Sequence, residues 1–166
     1  MPHASPPQGP KEPGGLVGLR LLSELPSHLS TDLFAGAERL RLPAGRVLFQ
    51  AGDSPDGCYR VEDGLLKVTM ISSSGAERIL AFLGTGAIVG ELAVLDGLAR
   101  SASVLVVRDA TVRFLSKAAF EVFAGKHHEL YKELIRLLAK RLRETDRAVA
   151  ASTFLSLKGR MARILL

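Results

Sequence analysis

Tryptophan is missing from this 166-residue chain, which has one cysteine, Cys58, and four histidines. A single cysteine forms no internal disulfide, and His3, His28, His127 and His128 are too scattered to build a zinc or iron–sulfur centre with it. No apolar run reaches the length of a membrane span, and the N-terminus lacks the charged-then-apolar order of a secretory signal. A cytoplasmic location with no membrane contact is expected. Catalytic signatures are missing too: no serine sits in a nucleophile elbow, no Gly-x-x-x-x-Gly-Lys is present, and no strand carries the closely spaced histidines of a small β-barrel metalloenzyme. The expectation is a protein that is not an enzyme and holds no metal or cofactor.

What is present is apolar enough for one buried core of ordinary size, with 47% hydrophobic residues. The net charge of +5 is unevenly placed. Residues 1–125 hold 12 basic and 13 acidic side chains, whereas residues 126–166 hold 10 basic against 4 acidic. A basic C-terminal stretch fits either proximity to nucleic acid or a solvated helix face.

Texture divides the chain into four parts. Residues 1–15 carry five prolines and three glycines with almost nothing apolar, which predicts a disordered tail. Residues 16–125 form the folded body. It opens with two short helices on Leu19, Leu22 and Leu25, then on Leu29, Leu33 and Phe34, broken at Pro26 and restarted after Ser30. From Arg41 to Ser116, short β-branched and aromatic runs alternate with glycine turns, as in an antiparallel sandwich or barrel. The predicted strands are 47–50, 58–62, 64–71, 77–83, 88–89, 101–107 and 110–115, with Asp63-Gly64 as a tight hairpin turn. Ser116 is placed to cap a helix through Phe123, and 126–153 reads as one long helix. Positions 134, 138, 141/142, 145 and 149 are spaced like a coiled-coil seam, so a homodimer through this helix is expected beside the alternative of an amphipathic helix packed on its own domain.

One stretch carries chemistry. From Gly86 to Ala102 the chain passes from a strand through Gly90 into one helical turn, Glu91 to Leu95, then through a glycine loop to Arg100. Unpaired amides after Gly90, a two-pronged cation at Arg100 and the hydroxyl of Ser101 suit a phosphate. Glu91 would repel that phosphate but suits a sugar hydroxyl, so a ligand bearing a phosphate and a free ribose hydroxyl is indicated.

Gly90-Glu91-Leu92 and Arg100-Ser101-Ala102 resemble the two halves of the phosphate-binding cassette of the cyclic nucleotide-binding domain. The likeness runs from about Leu40 to Leu166, and its ending, Phe154 to Leu166, is similar to that of the catabolite-activator (Crp/Fnr) family of bacterial transcription regulators. The resemblance implies a mainly β fold with flanking helices: a double-stranded β-helix, or jelly-roll-like β-roll, followed by a long dimerisation helix. It implies cAMP or cGMP as allosteric ligand, with Glu91 on the ribose 2′-hydroxyl and Arg100 and Ser101 on the cyclic phosphate. In that family a Thr-Ser pair on the long helix reads the purine. Thr145 matches the Thr while Asp146 replaces the Ser, a carboxylate able to accept from the amino group of adenine or guanine. The family geometry also implies that Arg141 pairs with Glu91. Residues 154–166 then read as a hinge and the start of a winged helix-turn-helix domain, and DNA would be bound only through that domain, which these residues do not contain. The same cassette serves regulatory modules of other signalling systems and regulators with a different effector or none, which stand as alternatives.

Overall fold

The computed structural model describes residues 21–72 and 75–164, with side chains described through 147 and at 149 and 150. The expected tail at 1–15, the start of the first helical segment and the turn residues Ser73 and Ser74 lie outside the described residues.

Six strands, β1 (Glu38–Leu42), β2 (Val47–Phe49), β3 (Gly57–Ile71), β4 (Glu77–Leu83), β5 (Ile88–Val89) and β6 (Ser103–Ser116), pair antiparallel in the order β1-β6-β3-β4. β2 joins β6 and β5 joins β3 off that path. The spine is the β3–β6 pair, matched from Gly57 with Ser116 to Thr69 with Ser103. Both strands exceed the usual five or six residues, and they stay continuous where the sequence predicted breaks. Asp63-Gly64 is therefore no hairpin turn. The β3–β6 register shifts between Val61 and Asp63 and again to Leu65, a bulge with Gly64 at φ 106°. A Cβ at Gly64 would lie 2.5 Å from Ala110 Cα, so positive φ and a close strand approach both require glycine there. The bend lets one long pair serve both ends of a roll.

Period-two burial divides consecutive residues between two cores. Tyr59, Val61, Val68, Val89, Val104 and Val112 fill the roll, while Cys58, Ile88 and Leu115 turn outward under a helical layer. That layer holds a 3-10 turn at Leu22–Glu24 and helices α1 (Ser27–Leu33), α3 (Lys117–Lys126) and α4 (His128–Ile164). Helix α1 starts directly after Pro26 rather than after Ser30: Pro26 is the N-cap, at ψ 141°, and its carbonyl accepts the first helical bond from the Ser30 amide at 3.0 Å. Strand β1, at 38–42, is not among the predicted strands; its Leu40 and Leu42 pair with β6. Ser116 caps α3 as expected, its Oγ accepting from the Ala119 amide at 3.2 Å.

Helix α4 buries Leu130, Leu134 and Leu137 against Leu21, Leu22, Leu25 and Phe120. Leu134 thus faces the domain and not the seam in which the sequence placed it. The exposed apolar row is Tyr131, Ile135, Leu138, Leu142 and Val149, with Thr145 in step. Backbone helix continues through Ile164, across the segment expected to open a hinge at 154, with Gly159 inside it. No helix among the described residues is long and apolar enough to cross a membrane.

Candidate functional site

Strand β5 ends at Val89 and hands the chain to Gly90, which adopts φ 83° and leads into the short helix α2 (Glu91–Asp96). A Cβ at Gly90 would stand 2.5 Å from Arg100 Nη1 and 3.2 Å from the Phe49 ring. Glycine is thus required by conformation and by the closeness of a guanidinium. Gly97, the αL residue ending α2, returns its amide to Ala93 at 3.1 Å and sends the chain back to Arg100. Main-chain bonds then fix Arg100: its amide donates to Asp53 O at 2.9 Å and its carbonyl accepts from Gly52 at 2.8 Å.

The Arg100 side chain is buried, at 3% residue exposure. Nη1 donates to Gly90 O at 2.7 Å, and Nη2 donates to Gly57 O at 2.6 Å and to Asp56 Oδ1 at 2.5 Å. The guanidinium carbon lies 4.2 Å from the Phe49 ring centroid, a cation–π contact. Nε is buried with no hydrogen-bond partner. A buried cation of this kind requires compensation, and the carboxylate bonded to it among the described residues, Asp56, has a side chain 61% exposed. The two carbonyls belong to the backbone and the ring is buried, whereas Asp56 reaches in from solvent.

Around this cation the fold gathers Gly90, Glu91, Leu92, Ser101 and Ala102, together with Phe49, Val68, Val89 and Val104. Both halves of the cassette therefore meet in one pocket. Its free volume is about 20 Å³, room for about one water and far below that of a nucleotide site. The Ser101 hydroxyl is on the exposed rim, and Ala102 is buried. Glu91 is almost fully buried, and Oε1 accepts from the Leu21 amide at 3.0 Å. Burial pushes the Glu91 carboxyl up to about 7, although bonds from its own and the Leu21 amides and the charges of Arg141 and Arg100 pull it back.

The expected Arg141–Glu91 pair is not formed. Arg141 Nη2 donates to Glu24 Oε1 at 3.0 Å, the neighbouring Lys140 Nζ donates to Glu24 Oε2 at 2.8 Å, and Arg141 Nε is buried without a partner. Glu24, on the 3-10 turn, costs less to keep charged than the buried Glu91, which is already engaged by an amide. Thr145 and Asp146 are exposed on α4 and do not line the cassette pocket of their own chain. They lie beyond Leu137, the last α4 residue among those described that is buried against the domain.

Sequence reasoning missed Phe49, Asp56, Gly57, Glu24 and the Leu21 amide. Phe49 reads as one more apolar strand residue, and Asp56 lies 44 positions from the arginine it meets; nothing local marks either. Cys58 is buried and its thiol is pushed up to about 12 by burial, so it is inert at neutral pH.

Residues 39–127 match the family described as the cyclic nucleotide-binding domain. The cyclic AMP receptor protein of Thermus thermophilus is 33% identical over 129 residues, covering 78% of this chain and 60% of that protein. Lysophospholipase nte1 of Aspergillus terreus is 30% identical over 125 residues, which is 75% of this chain but 8% of the enzyme. Among solved structures, the N-terminal domain of a transcriptional regulator from Streptomyces coelicolor A3(2) superposes with a TM-score of 0.65 at 30% identity, over 77% of this chain and 91% of that one. The chain spans 55% to 60% of the length of its curated transcription-regulator relatives. With a glycine-framed buried arginine at the heart of a β-roll and the family match over more than half of its length, the chain belongs to the cyclic nucleotide-binding domain family and resembles the sensor domains of Crp-type regulators.

Proposed function

We propose that the chain is the effector-binding and dimerising sensor of a Crp/Fnr-type transcription regulator, with cAMP or cGMP as allosteric ligand and no catalysis of its own. The observation that carries this reading is Arg100: a buried guanidinium with a spare Nε, held on two carbonyls and a ring beside Gly90–Leu92 and Ser101. A cyclic phosphate would take the place of Asp56 as counter-ion, gaining the spare Nε–H and the Ser101 hydroxyl while the fixed acceptors keep the guanidinium in place. The narrow pocket has to widen to admit it, which ties ligand binding to a change of the roll. Glu91 would meet the ribose hydroxyl. The exposed row on α4 supports a homodimer, through which Thr145 and Asp146 of a second copy would reach the purine. DNA would be contacted by a separate winged helix-turn-helix domain, and the location is cytoplasmic.

Calorimetric titration with cAMP and then cGMP tests the reading. One nucleotide per chain, lost in Arg100→Ala, is the expected result; no saturable heat with either would overturn it. A second reading, a cyclic nucleotide module serving another effector, draws on the likeness to nte1, in which the matched region is 8% of a far longer enzyme. Both readings share the Arg100 pocket and differ in what the helix beyond it controls.

A further inference from the structure

On the outer face of the sheet, away from the cassette, three arginines stand in a row. Arg39 on β1 is the register partner of Arg113 on β6, and Arg113 is the register partner of Arg60 on β3. Directly opposed residues of antiparallel strands project to the same face with Cβ atoms roughly 5 Å apart, and like charges so placed repel. One carboxylate serves the row. Glu62 sits at the β3 bulge two residues from Arg60, and it accepts from Arg39 Nε at 2.7 Å and from Arg113 Nε at 2.5 Å. Those two bonds hold its carboxyl below the usual carboxylate range, so it is charged at neutral pH. The row still carries two positive charges more than negative ones.

One of those two charges falls on Arg60. Its guanidinium carbon is 6.0 Å from the Phe34 ring centroid, a contact that steadies a cation without neutralising it. Among the described residues no carboxylate lies within ion-pair distance of Arg60, and the terminal nitrogens of Arg113 make no hydrogen bond. Arg60 and Arg113 line an open cleft of about 500 Å³ together with Thr31, Thr85 and Gly86. Two forks of N–H donors with hydroxyls beside them match a tetrahedral oxyanion better than a planar carboxylate or a nucleobase.

We propose that this cleft is a second anion site, separate from the cassette, that takes a phosphoryl group between Arg60 and Arg113. Arg60 supplies the uncompensated charge, the outer nitrogens of Arg113 the second fork, and Thr31 and Thr85 the hydroxyls. Glu62 opposes the ligand while it aligns Arg113, so it limits affinity. The site backs onto β5, since Arg60 is the register partner of Ile88, two residues before Gly90.

The test is a titration of the full chain with inorganic phosphate at constant ionic strength, read on the arginine Nε–Hε resonances, with chloride as the screening control. Saturable shifts of Arg60 and Arg113 are expected. Arg60→Gln should weaken binding about tenfold or more, whereas Glu62→Gln should tighten it. A structural role alone does not give opposite signs from two neighbours, and the second variant keeps the test valid if the first folds poorly. Methyl phosphate run in parallel identifies the source: binding of both marks the end group of a phosphomonoester, and binding of inorganic phosphate alone marks the free ion, each in support. Shifts that follow chloride, or saturable binding that moves Arg100 and is indifferent to Arg60→Gln, would overturn the proposal.

Discussion

Arg100 and Arg141 each bury a guanidinium Nε without a partner, yet the molecule holds them in different ways. Arg100 is fixed largely by backbone: carbonyls of Gly57 and Gly90 accept from it and main-chain bonds to residues 52 and 53 set its Cα, while the Phe49 ring covers its face and Asp56 adds one side-chain bond. Arg141 hangs from a helix and reaches one side chain, Glu24, which it shares with Lys140. A preorganised cation costs little further entropy when a ligand arrives. A cation that can exchange one carboxylate for another is suited to reporting the arrival. Under the proposed function, this difference would put binding at Arg100 and its read-out at Arg141.

The largest expected effect separates the two. Arg100→Ala should weaken cyclic nucleotide binding by about 3 kcal/mol or more, over a hundredfold, because it removes the fixed partner of the phosphate. Arg141→Ala, whose side chain reaches the pocket only through the field it exerts on Glu91, should cost under about tenfold by the same calorimetry. Equal losses in the two variants would erase the distinction between the two arginines.

Glu91 comes next. Its carboxyl is pushed up to about 7 by burial, while in the unfolded chain it titrates near the ordinary 4.5. Between those values the native protein holds a proton that the unfolded chain has released, so this group makes stability fall as pH rises from about 4.5 to about 7, with no further loss above. The shift corresponds to a contribution on the order of 3 kcal/mol. Urea unfolding of wild type and Glu91→Gln across that window should give curves that diverge with pH; parallel curves would remove Glu91 as the source. Gly90→Ala follows at about 1–3 kcal/mol, the cost of an L-residue at φ 83° with its Cβ against Arg100 Nη1, measurable as a lowered unfolding midpoint.

What the sequence disclosed follows the same division. The cassette could be read because Gly90 and Arg100 are ten positions apart, and the turn between them is written in Gly97 and a six-residue helix. The roll could be read from alternation, although not its long strands: a bulge and a hairpin use the same Asp-Gly signal, and only the partner β6, running straight past, decides between them. Arg141 and Glu24 are 117 positions apart, and no local pattern announces that a 3-10 turn will set a carboxylate beside the helix. Leu134 illustrates a subtler limit. Two apolar rows at heptad spacing run along α4, and the row facing the domain is settled by Leu21, Leu22 and Leu25, far away in sequence.

The smallest effect probes Arg141 itself. Glu24 is held below the usual carboxylate range by its bond to Lys140, with the charges of Lys140 and Arg141 adding to it. Its contribution is therefore present above the unfolded value and lost as pH falls through its native value. Because the side chain is 35% exposed, Glu24→Gln should cost less than about 1 kcal/mol at neutral pH, and the difference from wild type should vanish in acid. The informative reading is elsewhere. With Glu24 neutral, Arg141 has one buried carboxylate left within its field, and a turn toward Glu91 would bring the Glu91 titration down from about 7 toward the ordinary range. Carboxyl-carbon NMR of the variant follows that titration directly. A lowered value makes Glu24 and Glu91 alternative partners of one arginine, so that a ligand engaging Glu91 also tightens or releases the contact between α4 and the 3-10 turn. An unchanged value fixes Arg141 as a structural tie and assigns the link between pocket and helix to the packed leucines instead.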